Sequence, residues 1–197
     1  MKYVFLFVIA YIVLYSVVWL HEVGHALWYR VFGLKRDWWR VQVKPYIFFS
    51  TPGAIEQEKW QSLKPVQHVL SAYGGMMANA LFAVISGLVI CFSEISNDYV
   101  TVALWLFMTL HIGEIVSYLL VGSIFLVSDM QIVSQSIPWL RIPSILTGAA
   151  LAVLYVLLLM NAPSEYSLFI IIWNVATVVS MCLGRIIATM AVRRRNG

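Results

Sequence analysis

Charge is scarce in this sequence. Lys, Arg, Asp and Glu make up 11% of its 197 residues against 61% hydrophobic ones, and the mean hydropathy is +0.85. A soluble domain carries roughly 25% charged residues, so water is excluded as the main solvent. Cysteine is scarce as well. Cys91 and Cys182 are the only two, and they lie far apart in or beside apolar stretches. Their spacing excludes a thiolate metal cluster; they read as small buried hydrophobes with no bearing on redox compartment. Internal repeats and low-complexity tracts are missing, and only one connection, Gly33 to Pro65, is long and polar enough to form structure of its own. That leaves one membrane domain over residues 1–197. The net charge of +4 is spread over the connections; it reads as topology and attraction to anionic lipid, and nucleic acid is excluded as a partner.

What the sequence has in abundance is apolar length. A helix needs ~20 predominantly apolar residues to cross the hydrocarbon layer. Five such stretches follow one another: Tyr3 to Phe32, Val66 to Phe92, Tyr99 to Val127, Ile142 to Met160 and Tyr166 to Val192. The first begins Met1-Lys2 like a signal peptide, but it runs on through Trp19-Leu20 into a charged motif without a small-residue cleavage site, so it is expected to be retained. Basic residues crowd alternate connections: Arg30, Lys35, Arg36, Arg40, Lys44, Lys59 and Lys64, then Arg141, then Arg193-Arg194-Arg195. Glu94, Asp98 and Glu165 occupy the others. Since cytoplasmic flanks are enriched in Lys and Arg, a multi-pass protein with its N-terminus outside and its C-terminus cytoplasmic is expected.

Within the polar connection, Val41-Gln42-Val43-Lys44 alternates apolar and polar, Pro45 interrupts, and Tyr46-Ile47-Phe48-Phe49 is strongly β-forming. A short membrane-associated β segment with a free edge is expected there, because Pro is tolerated on edge strands. Trp38, Trp39, Tyr46 and Trp60 suit the membrane–water interface, and His68 is expected there too. The fold class is therefore all-α and polytopic, with about five transmembrane helices and this short β segment after the first. Apart from Asn174 and Arg185, the last two spans are plain Leu, Ile and Val. They offer surface for lipid, a second copy of the chain or another membrane protein.

Chemistry concentrates at His21-Glu22-Val23-Gly24-His25. On a helix, residues i and i+4 share a face, so both imidazoles can hold one ion while Glu22 points at the adjacent water site. Chance would produce this pattern in roughly 0.2% of shuffles of the same composition, a low false-positive rate for a motif. Burying two His and a Glu in a transmembrane segment costs several kcal/mol and marks function. A third ligand is needed, because a catalytic metal takes about three protein ligands and keeps one place open. Glu114, a helix turn from His111 in the third span, could complete a His-His-Glu set. At ~1.5 Å rise per residue, straight helices bring Glu114 nearer the depth of the histidines than any other carboxylate of the later spans. His111 reads as a buried, hydrogen-bonded partner.

The run Trp19-Leu20-His21-Glu22-Val23-Gly24-His25-Ala26-Leu27, continuing to Val31-Phe32-Gly33, resembles the first core helix of the site-2 protease family of intramembrane zinc metalloproteases. Ala72-Tyr73-Gly74-Gly75-Met76-Met77-Ala78-Asn79-Ala80 is similar to that family's second core motif, with Met76 where proline is common and Asn79 at the asparagine. The resemblance implies an aspartate ligand near the end of the third core segment, usually followed by Gly. Asp129, followed by Met130, is its counterpart and competes with Glu114 for the third position. It further implies a Zn2+ ion held by His21, His25 and Asp129, Glu22 as general base, and Asn79 at the reaction centre, holding substrate backbone or the oxyanion. Residues 1–129 with the loop 33–65 would form the catalytic three-helix core, and residues 130–197 two additional helices and a basic tail. The substrate class would be a single-span membrane protein, cut in or near its transmembrane segment, with the β segment pairing against the unwound substrate. A metal-binding membrane protein without peptidase activity, or a transporter, is the alternative.

Overall fold

The computed structural model of the chain describes residues 2–47 and 50–196, with side chains as far as 191. Apolar length decides its architecture. In chain order the elements are α1 (Lys2–Val31), α2 (Gln57–Gln61), α3 (Pro65–Phe92) and α4 (Asp98–Val116). A π-helical segment (Ser117–Gly122) follows, then α5 (Ser123–Phe125) and α6 (Asp129–Ser136). After a 3-10 turn at Pro138–Leu140 come α7 (Arg141–Met160) and α8 (Ser167–Asn196). Five helical stretches are long and apolar enough to cross a membrane: Lys2–Val31, Pro65–Phe92, Asp98–Phe125, Pro138–Met160 and Ser167–Ala191. They match the five expected spans to within a few residues, and the protein is an integral, multi-pass membrane protein.

The helix ends follow local rules. Gly33 sits at φ 70°, and the two bonds Leu34 N–H to Tyr29 O and Gly33 N–H to Arg30 O close α1 in a Schellman motif. Pro65 opens α3, where its missing N–H costs nothing. Asn97 caps α4 by accepting from Tyr99 N–H and Val100 N–H.

The third span is the centre of the bundle: 72% of its most apolar stretch is buried, against 17–28% for the other four. Large apolar side chains such as Phe5, Leu88, Leu146 and Leu168 point outward on the surrounding helices, as lipid-facing residues do. At one end of the bundle, Lys2 pairs with Glu165, and Tyr166 Oη donates to Asp98. The starts of the first, third and fifth spans are thereby tied together.

Helices α1 and α3 touch backbone to backbone. A Cβ on Gly24 would collide with the carbonyl oxygen of Gly74, and one on Gly74 would lie 2.6 Å from the carbonyl oxygen of Gly24. Small residues permit this approach in membrane bundles, where packing supplies most of the attraction. The contact lies within the His21–His25 turn, so it brings that turn against α3.

The expected β segment forms no strand among the described residues. Among the described residues one isolated antiparallel bridge joins Gln42 and Thr51, with N–H to O distances of 2.9 and 3.0 Å. Pro45 supplies no N–H, and Ile47 turns to φ 67°, a conformation that a β-branched residue adopts only under constraint. Lys44 to Ile47 is therefore a turn, closed by Ile47 N–H to Lys44 O at 2.7 Å. Phe48 and Phe49, the other half of the expected strand, lie outside the described residues. Tyr11 Oη donates to Pro45 O at 2.6 Å, and Tyr15 Oη to Val43 O at 3.4 Å. Those tyrosines are about 24–30 Å along α1 from its C-terminal end. The loop thus re-enters the bundle beside α1, with its carbonyls satisfied by side chains as backbone at that depth requires.

The chain then reverses after α5. Leu126 (φ 53°, ψ 57°) is left-handed and Ser128 (φ 53°, ψ −139°) holds a positive φ outside that region, a cost of about 1–3 kcal/mol each that persists only where surrounding packing fixes it. Met130 and Val133 supply that packing: both are fully buried against Val69, Ala72 and Met76 of α3. The reversal turns α6 back into the bundle and sets Asp129 at its first turn.

Overpacking a tight contact costs about 1–3 kcal/mol or more. Gly74→Leu is expected to lower the thermal unfolding midpoint of the solubilised protein by several degrees. Gly87→Ala, whose methyl would meet only Met108 Sδ at 3.5 Å, should leave it unchanged. Equal midpoints for wild type and Gly74→Leu would contradict the backbone contact.

Candidate metal centre

Helical geometry puts His21 and His25 on one face of α1, as i and i+4 must be. Their Nε2 atoms are 3.0 Å apart, and both rings are almost wholly buried. The reversal described above brings Asp129 Oδ2 to 3.3 Å from His25 Nε2 and 3.8 Å from His21 Nε2. Three donors of a tetrahedral ion bound at ~2.0–2.1 Å lie about 3.3–3.4 Å from one another. The observed triangle of 3.0, 3.3 and 3.8 Å is that size. Among the described residues, this trio is the group of His, Cys, Asp and Glu whose donor atoms converge.

Two further observations test whether the trio fits an ion. Asp129 Oδ2 is buried without a hydrogen-bond donor, a costly arrangement for a carboxylate unless a cation meets it. Gly75 of α3 forms the floor: a Cβ there would lie 2.5 Å from the Nε2 atoms of both histidines. Space next to the nitrogens is kept open by the absence of a side chain. The donor set and the space around it fit a divalent ion.

The outer atoms of the rings are held too. His25 Nδ1 lies 2.7 Å from the carbonyl oxygen of Ser71, which can only accept, so the proton is at Nδ1 and the lone pair at Nε2. The Asn79 amide bridges two rings, its nitrogen 3.0 Å from His21 Nδ1 and its oxygen 3.0 Å from His111 Nδ1. His21 stacks on Tyr118, centroids 4.8 Å apart and planes 12° from parallel. The guanidinium of Arg185, from α8, lies over the Tyr118 ring, 3.8 Å from its centroid.

Glu114 is not drawn to the histidines. Its carboxylate pairs with Arg185 and accepts from Ser117 Oγ at 3.3 Å, while Arg185 also donates to Ser117 Oγ. A buried carboxylate so paired is neutralised within the bundle, and releasing it would leave Arg185 without its counter-charge. The depth of straight helices had favoured Glu114; the chain reversal at Leu126–Ser128 gives Asp129 the approach instead. Arg185 and Tyr118 were not singled out as site residues in the sequence. Their signal was faint: one Arg in an otherwise apolar span, and a Tyr one turn beyond Glu114.

A cavity of about 340 Å³ opens beside the trio. His21 and Glu22 form one wall, the re-entrant loop contributes Ile47 and Ser50, and Glu114 and Arg185 lie in another. The Glu22 carboxylate and one of the three converging donor residues, His21, thus border the same cavity.

The model of peptidase family M50 matches residues 9–189 of the chain, nearly its whole length. No curated protein and no solved structure matches it.

Removing Asp129 should remove the metal, whereas Glu114 should be dispensable for it. We expect purified Asp129→Ala to retain less than about one tenth of the wild-type metal content, and Glu114→Gln to retain all of it, both measured by elemental analysis. Loss of metal from Glu114→Gln with retention in Asp129→Ala would reverse the assignment.

Proposed function

The chain belongs to peptidase family M50, the site-2 protease family, and from that premise we propose that it is an intramembrane zinc endopeptidase acting on single-span membrane proteins. Membership implies a metallopeptidase with a membrane-protein substrate. The observation that carries the finer reading is the His21–His25–Asp129 triangle inside the bundle, with Glu22 on the wall of the adjoining cavity. In this reading His21 Nε2, His25 Nε2 and Asp129 Oδ2 hold the ion. Zinc bound there supplies Lewis acidity, which makes water nucleophilic at neutral pH and polarises a carbonyl group.

The chain's own residues do the rest. Glu22 takes a proton from the water that adds to the scissile carbonyl, and returns it to the departing amine nitrogen as the C–N bond breaks. Asn79 fixes the orientation of His21; with both ends of its amide engaged by imidazoles, it acts through that ring. The re-entrant loop forms the cavity wall against which an extended peptide can lie, since a substrate helix must unwind before its carbonyls become available. The basic connections support an orientation with the N-terminus outside and the C-terminus cytoplasmic.

Glu22→Gln separates a peptidase from a protein that only binds or moves metal. Co-reconstituted in liposomes with a panel of single-span membrane proteins, wild type should cleave at least one of them and should lose that activity to a zinc chelator. A side-chain amide in place of the Glu22 carboxylate cannot take the proton, so the variant should keep its metal and cleave about 10²–10⁴-fold more slowly. Equal cleavage by wild type and variant would overturn Glu22 as the base.

A further inference from the structure

An imidazole that binds a metal through Nε2 carries its proton at Nδ1, and that proton needs an acceptor. For His25 the acceptor is the Ser71 carbonyl. His21 has only the Asn79 amide, which is fully buried. A primary amide offers an oxygen that accepts and a nitrogen that donates, and a half-turn exchanges the two ends without changing their shape. The nitrogen is the end set 3.0 Å from His21 Nδ1, and a metal-binding His21 requires the half-turned amide, because only the oxygen end suits its Nδ1–H. Which end faces His21 is therefore decided by what meets the other end, and that is His111 Nδ1.

His111 is fully buried in the third span, and its Nε2 has no hydrogen-bond partner. Its ring is stacked beside Phe82, centroids 5.8 Å apart, and packs perpendicular to Phe107 at 4.4 Å. With the amide oxygen given to His21 Nδ1–H, the Asn79 NH2 is left to His111 Nδ1, which meets it only with a lone pair there and the ring proton at Nε2. A lone pair at Nδ1 accepts from the Asn79 NH2, and the amide oxygen then turns to His21.

Resting on the metallopeptidase reading, we propose that His111 is a positioning residue for the metal: through Asn79 it holds His21 in the tautomer whose Nε2 lone pair is free to bind. His111 touches neither metal nor substrate. It selects one of two amide orientations, one of which would place the His21 proton on the ligating nitrogen.

The test is zinc affinity, measured by competition with a chelator of known strength on the purified full chain, in a double-mutant cycle. Losing an outer partner of a metal-binding His costs about 10–100-fold in metal affinity. His111→Phe, which keeps a ring but no Nδ1, should weaken zinc binding at least about 10-fold. His111→Asn, whose amide can meet Asn79 near the position of Nδ1, should recover affinity to within about 3-fold of wild type. In an Asn79→Ala background, His111→Phe should cause no further loss. A merely structural histidine would show neither the recovery nor the dependence on Asn79. Unchanged affinity in His111→Phe, or an equal loss with and without Asn79, would overturn the proposal. If His111→Phe fails to fold, the comparison of His111→Asn with His111→Leu in both backgrounds carries the same test. Wild type that binds no zinc would instead overturn the metallopeptidase reading beneath it.

Discussion

Helices α1 and α3 meet where Gly24 faces Gly74, and the polar interior of this protein depends on that contact. A single methyl group on either glycine would force the backbones apart. Because they touch, Asn79 reaches His21, the Ser71 carbonyl reaches His25, and Gly75 leaves open the space beside both Nε2 atoms. A buried polar group in a low-dielectric interior is stabilising only when its partners are within hydrogen-bond reach. Separating the helices by even an ångström would turn each of these bonds into an unmet donor or acceptor. Sterics at two glycines thus set the electrostatics of the proposed metal position.

The same economy governs the other buried charges. Glu114 and Arg185 meet across the bundle, with Ser117 satisfying both, and Asn174 is held by Tyr155 Oη and the Ile170 carbonyl. The last helix is consequently tied to the interior by its few polar residues. Arg185 also lies over the Tyr118 ring that stacks on His21, so α8 reaches the candidate site as well as covering the core.

Local features were legible in the sequence and distant ones were not. The spans follow from apolar length, and the His21–His25 pair from a spacing that any helix enforces. Asp129 against Glu114 was undecided because the answer lies in the reversal at Leu126 and Ser128. Neither residue type announces a positive φ, and the segment that follows is anchored by the burial of Met130 and Val133 against α3, more than fifty residues earlier in the chain. The partner of Glu114 is Arg185, in another span altogether. The loop misled in a different way: Val41 to Phe49 has strand-forming residues, but at bundle depth the hydroxyls of Tyr11 and Tyr15 bond the carbonyls of Pro45 and Val43, and Lys44 to Ile47 close into a turn. The bridging role of Asn79 between His21 and His111 needed three helices in place before it could be seen.

In the proposed centre, two imidazoles one helical turn apart and the carboxylate of Asp129 would hold one zinc ion within the membrane-spanning bundle. Zinc K-edge X-ray absorption on the purified, detergent-solubilised protein tests this directly. A four-coordinate first shell of nitrogen and oxygen at about 2.0–2.2 Å is expected, with the outer-ring scattering of two histidines and no sulfur. A shell with fewer than two imidazoles, or one containing sulfur at ~2.3 Å, would contradict it.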